Sequence, residues 1–77
     1  MNAYLDLQMA LLAVLSYLPD QLARQYAVDQ IVELQAGRMP DKKILERIVR
    51  LIDARSLLAQ HVDVYRAKKV IEEVIVG

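Results

Sequence analysis

Residues 39–62 read MPDKKILERIVRLIDARSLLAQHV, and the spacing of the apolar residues in this stretch decides the fold class. At about 100° per residue, Ile44, Leu45, Ile48, Leu51, Ile52, Leu58, Ala59 and Val62 fall on one side of a helix. Glu46, Arg47, Arg50, Asp53, Gln60 and His61 fall on the other. An apolar side that broad has to be covered, so the flanking segments must supply further helices that pack on it. Pro40 suits a first helical position, and Asp41 lies where the amide-rich end of a helix favours a carboxylate. Glu46 precedes Arg50 by four residues, the favourable order for an ion pair on a helix surface. The pattern predicts a helix over residues 41–60 with one residue out of place. Arg55 falls inside the apolar stripe, while Leu57 falls on the polar side. Either the helix bends or stops nearby, with Ser56 or Asp63 capping a fresh start, or Arg55 reaches a carboxylate across a contact. The expectation is that Arg55 sits at a helix–helix or subunit contact, bound to Asp6, Asp63 or Glu72.

Upstream, Gly37 fits the left-handed position after a helix, and Pro40 follows at the distance usual for a sharp stop. The helix they terminate spans residues 20–36. Its apolar arc is Ala23, Ala27, Ile31 and Leu34, widened by Val28 and Val32, with Gln25, Asp29 and Glu33 toward water. Asp20 can cap its start and also stands four before Arg24. Pro19 ends the preceding helix, because it disfavours helical geometry at Leu18 and has no amide hydrogen to donate.

That first helix, residues 3–18, has almost no polar side. Tyr4, Leu7, Leu11, Val14, Leu15 and Leu18 form a stripe with the three-and-four spacing of a coiled-coil seam. Leu5, Met9 and Leu12 form a second strip beside it, and only Asp6, Gln8 and Ser16 are polar. A helix apolar most of the way round is buried on two sides, one on its own chain and one against something else. The stripe from Tyr4 to Leu18 is the expected oligomer interface.

Downstream, Val64, Ala67, Val70, Ile71, Val74 and Ile75 share one face of a helix over residues 63–76. Lys68 with Glu72, and Lys69 with Glu73, have pairing distance on the other face. This stripe is rotated by roughly a quarter turn from that of residues 41–60, which a break near His61 cures. One long bent helix over 41–76 is the alternative. The expected architecture is a single all-α domain over residues 1–77, a bundle of three or four helices completed by oligomerisation. The first two helices pair antiparallel.

Composition supports the need for a second subunit. Apolar residues make up 56 % of the 77, above the roughly 45–50 % of an ordinary domain. Chains this short are near the limit at which one core offsets the ordering entropy, and without cysteine no disulfide can help. A single histidine disfavours a zinc cluster, so no metal or other cofactor is expected. Net charge is zero, which removes any global attraction for nucleic acid or anionic lipid. The apolar run of residues 3–18 is too short to span a bilayer, and no basic residue precedes Arg24 to open a secretory signal. The expectation is a soluble cytoplasmic protein.

Two groups of residues carry chemistry worth testing. Arg55-Ser56-Leu57-Leu58-Ala59-Gln60-His61 resembles the arginine–polar–several–histidine motif of the HEPN ribonucleases. Those are helical dimers in which Arg and His act on the scissile phosphate. The resemblance implies that Arg55 holds the phosphate and His61 serves as acid or base. Without it, the same residues are a solvated histidine and an arginine in an interhelix ion pair, and that plainer reading is adopted here. No catalytic residue is therefore assigned.

Second, Lys43, Arg47, Arg50 and His61 share a narrow sector, a basic ridge with Lys42 nearby. Such a ridge can dock an acidic protein surface or track phosphates, or it can be the wet face of an amphipathic helix. The tyrosines at 4, 17, 26 and 65 are not clustered among basic residues as a stacking platform would need. The functional expectation is a small non-enzymatic interaction protein, a regulator, adaptor or inhibitor, of a size that would suit a phage or mobile element. It would meet a protein partner through Lys43, Arg47, Arg50 and Arg55. A nucleic-acid-binding regulator using the same ridge is the alternative, and a minimal HEPN-like ribonuclease the second.

Overall fold

The computed structural model describes residues 2–18, 20–54 and 61–77. Among them are four helices and no strands: α1 (Ala3–Leu15), α2 (Gln21–Gln35), α3 (Lys42–Asp53) and α4 (Val62–Val76). Each of the first three begins on a side chain that accepts the orphan amides of the first turn. Asn2 Oδ1 accepts from the amides of Tyr4 at 3.0 Å and Leu5 at 3.3 Å. Asp20 accepts from Ala23 at 2.7 Å, and Asp41 from Lys43 at 2.8 Å. Pro40 therefore lies two residues before α3, buried just ahead of the cap, instead of at the first helical position. His61 precedes α4 in extended geometry with no capping bond from its side chain.

The end of α2 follows from Gly37. Its φ of +82° is the left-handed conformation that costs a glycine least, and it turns the chain so that the Arg38 amide donates to the Glu33 carbonyl at 2.9 Å. The Gly37 amide donates to the carbonyl of Leu34 at 3.0 Å, so two orphan carbonyls are satisfied. Arg38 then folds back on Glu33, with Nε 2.6 Å from Oε2 and Nη2 3.2 Å from Oε1. This hydrogen-bonded guanidinium, helped by its charge, holds the Glu33 carboxyl below the ordinary glutamate value of 4.5. A carboxyl with a depressed folded pKa contributes stability that is complete above the unfolded value and disappears as pH falls through the folded one. Both groups face water, so the contribution is small. Arg38→Ala should return the Glu33 titration to about 4.5, read by NMR of the side-chain carboxyl; an unchanged midpoint would show that the clamp is absent in solution.

The helices form a ring in which α1 packs on α2 and α4, and α3 packs on α2 and α4; the diagonal pairs do not meet among the described residues. Neighbours run antiparallel. Tyr17, just past α1, meets His61 at the start of α4, whereas Asp6 near the start of α1 shares a groove with Val70 and Glu73 near the end of α4. Tyr26 of α2 meets Arg47 of α3, and Asp53 at the end of α3 meets Lys68 of α4.

Among the described residues the fully buried core side chains are aliphatic, with Gln30 of α2 the one buried polar residue and Tyr17 and Tyr26 packed at the margin. Leu7, Leu11, Val14 and Leu18 enter from the first segment, Ala23, Ala27, Ile31 and Leu34 from α2. Leu45, Ile48, Val49 and Ile52 come from α3, and Val64, Ala67 and Ile71 from α4. The small Ala23 and Ala27, both essentially without exposed surface, allow the neighbouring backbones to approach.

Two expected boundaries are corrected. α1 stops at Leu15, and one further turn brings the Leu18 amide to the Val14 carbonyl at 3.2 Å. α3 stops at Asp53, with Ala54 as its C-cap, so residues 41–76 are not one bent helix. Val62, expected on the stripe of α3, instead opens α4 and is 60 % exposed. Arg55, Ser56, Leu58 and Ala59, with the rest of 55–60, lie outside the described residues, as does Pro19.

Candidate functional site

Most of the α1 stripe expected as an oligomer interface lies inside the chain's own core. Leu7, Leu11, Val14 and Leu18 lie at 0–1 % exposure inside the chain's own core, so a second subunit cannot reach them. Leu15 is half-buried against the same core, and of the expected stripe only Tyr4 presents much surface. The physical reason is that the stripe with coiled-coil spacing is the one that α2 and α4 cover. What remains outward is the second strip: Leu5 at 51 %, Met9 at 60 % and Leu12 at 49 % exposed. Three large aliphatic side chains one turn apart, on a helix whose opposite face is already in a closed core, form a contiguous uncovered apolar surface.

Beside this strip runs an open groove of about 660 Å³ between α1 and α4. Ala10, Ala13 and Ala67 line it, and none has a side chain long enough to fill the space between the helices. Its charged rim is Asp6 on α1 and Asp63 and Arg66 on α4. Among the described residues, none of these three enters an ion pair within 4 Å. A second groove, of about 420 Å³, lies at the opposite end of α4, walled by Ala3, Met39, Val70 and Val74 with Lys42 and Glu73 at its edge. Asp6 lines it as well, so three charged side chains border a space whose volume would suit a small ligand.

The basic ridge of α3 is present as a surface. Lys42, Lys43, Arg47 and Arg50 are all exposed. Arg47 is the one held in place: its guanidinium carbon lies 5.7 Å from the centre of the Tyr26 ring, and Nη1 donates to the Tyr26 hydroxyl at 3.2 Å. Sequence spacing missed this contact because the two residues are 21 apart and on different helices. Glu46 and Arg50 form no ion pair, and neither do Lys68 and Glu72 or Lys69 and Glu73. Lys68 instead reaches Asp53 at 2.6 Å, where a carboxylate at the negative end of α3 needs a cation. That hydrogen bond raises the Lys68 pKa above its ordinary value. One oxygen of Glu72, Oε1, is left buried without a hydrogen bond among the described residues. Lys69 lies over the Tyr65 ring at 5.2 Å. Arg24, expected to pair with Asp20, donates from Nε to the Leu18 carbonyl at 2.9 Å and so helps close the first turn of chain.

His61 is exposed, with Nε2 3.1 Å from the Tyr17 hydroxyl and the two ring centres 4.4 Å apart. This contact pins the start of α4 to the end of the first segment. Arg55, the other half of the motif that resembles HEPN ribonucleases, lies outside the described residues, and so does any contact it makes with Asp6, Asp63 or Glu72. No helix of the described residues is long and apolar enough to cross a membrane. Among the same residues, no three His, Asp or Glu side chains come together as a metal would require. Compared with protein-family models, with curated proteins and with solved structures, the chain matches none.

Proposed function

We propose that this chain is a small cytoplasmic, non-enzymatic interaction protein that works as a helical homo-oligomer and binds a protein partner as a regulator, adaptor or inhibitor. The observation that carries the proposal is the exposed strip Leu5, Met9 and Leu12 on α1. The four-helix core closes without these side chains, so leaving them in water costs free energy that only a further contact recovers. Sedimentation velocity at micromolar concentration should give an oligomer. A stable monomer there would refute the self-association.

A partner surface is separate from this strip. Lys43, Arg47 and Arg50 face outward on α3 and form no ion pair among the described residues, which suits an acidic protein surface. Capture from the source cells should recover one protein that is lost when Lys43 and Arg50 are both changed to Glu. The ridge also supports a second reading as a nucleic-acid contact, since three cations on one helix can follow a phosphate backbone. Recovery of nucleic acid with no protein would establish that reading, and the affinity would then fall steeply with salt.

A further inference from the structure

We infer that the second copy docks α1 against α1 in antiparallel register about Met9, with Asp6 of each copy paired to Arg66 of the other. This rests on the proposal that α1 is the self-association surface, and it names the geometry and the groups that select it. Within one chain α1 and α4 are antiparallel, with Tyr17 at His61 and Asp6 beside Val70. Leu12 of α1 is therefore level with Arg66 of α4, and both border the same groove.

Consider a second α1 lying along that groove. If it ran parallel to the first, its Asp6 would fall beside Asp6 and near Glu73, which share one end of the α1–α4 surface. Three carboxylates would then meet in a groove that offers them one cation, Lys42 of α3. Reversed and crossing at Met9, the second α1 carries its Asp6 to the level of Leu12, against Arg66. Its amide-rich start comes to the level of Asp63, the sign of charge a helix N-terminus favours. Two-fold symmetry makes both contacts twice. The apolar parts agree with the charges: Met9 meets its own copy on the axis, and the alanines Ala10, Ala13 and Ala67 leave room for the incoming Leu5. Asp6 and Arg66 enter no ion pair within 4 Å among the described residues, so neither has a competing partner there.

Charge reversal and cross-linking test the arrangement on the full chain. Arg66→Glu should weaken the dimer by about tenfold or more in Kd, because two rim pairs become repulsive together. Asp6→Lys should do the same, and the double variant Asp6→Lys/Arg66→Glu should restore most of the affinity. The chain has no cysteine, so a single introduced thiol reports unambiguously. Met9→Cys should form a disulfide-linked dimer under mild oxidation. Leu5→Cys should not, since antiparallel register separates the two copies of that position by about 12 Å along the axis, beyond the roughly 7 Å a disulfide spans. A dimer that ignores charge reversal, or one that cross-links at Leu5 as readily as at Met9, would overturn this register while leaving self-association through α1 intact. A wild-type protein that stays monomeric would overturn both.

Discussion

Leu11→Glu should abolish the folded state, whereas Leu12→Glu, one residue further on, should leave it intact and remove self-association. Leu11 has no exposed surface and stands in the middle of the aliphatic core. Removing a leucine side chain from such a site costs about 2–5 kcal/mol, and burying a carboxylate without a partner costs several kcal/mol more. A domain of this kind has only about 5–15 kcal/mol in total. No cation among the buried residues can pair with the new charge. Leu12 is 49 % exposed on the outer side of α1, where a polar substitution changes stability by no more than about 0.5 kcal/mol. Helical circular dichroism and sedimentation separate the cases. Leu11→Glu should lose the cooperative helical signal, and Leu12→Glu should keep it and sediment as a monomer. A folded monomer in Leu11→Glu, with Leu12→Glu still dimeric, would mean that the stripe from Tyr4 to Leu18 is the subunit interface after all.

The contrast also shows what helical periodicity can and cannot say. Period, together with the breaks at Pro19 and Gly37–Pro40, located the helical stripes and left residues 41–76 open as one bent helix or two, because burial on one side of a helix imposes its 3.6-residue spacing whatever lies opposite. The turn at Gly37 was legible for a local reason: a φ of +82° strongly favours glycine, and the cap Asp20 is likewise decided within three residues of chain, whereas Asp41, read as lying inside the first turn, is the cap itself. The inward side of α1 was not legible. When both strips are leucine-rich, spacing ranks one as the better seam but does not say which neighbour covers it; that depends on where α2 and α4 lie.

Ion pairs failed as expectations for a related reason. Four-residue spacing pairs Lys68 with Glu72, but Asp53 on the adjacent helix offers the ammonium a carboxylate placed at an electronegative helix end. Tyr17 with His61 and Tyr26 with Arg47 likewise join residues 44 and 21 positions apart. Contacts of that kind are properties of the packed bundle. For the candidate site, sequence spacing marked the α3 ridge as exposed, while four of the α1 residues it assigned to an interface, Leu7, Leu11, Val14 and Leu18, lie in the chain's own core.

The end of α3 supplies the other large effect. Leu58, Ala59 and Val62 continue the apolar spacing of α3 on paper, and by that pattern Ile52 and Val62 should be equivalent members of one stripe. In the structure α3 ends at Asp53, Ile52 has no exposed surface, and Val62 opens α4 with 60 % of its surface in water. Ile52→Ala should therefore cost about 2–5 kcal/mol, the transfer of the lost methyl groups plus the cavity left among Leu45, Ile48 and the facing α4 side chains. Val62→Ala should stay within about 0.5 kcal/mol, or stabilise slightly, since alanine is the better helix former at an exposed position. Urea unfolding of the two variants reads the difference as a shift of midpoint at unchanged slope. Equal losses at both positions would mean that Val62 is packed in solution and that the stripe of α3 runs on to it. A large loss confined to Ile52 places the end of the apolar stripe where α3 stops.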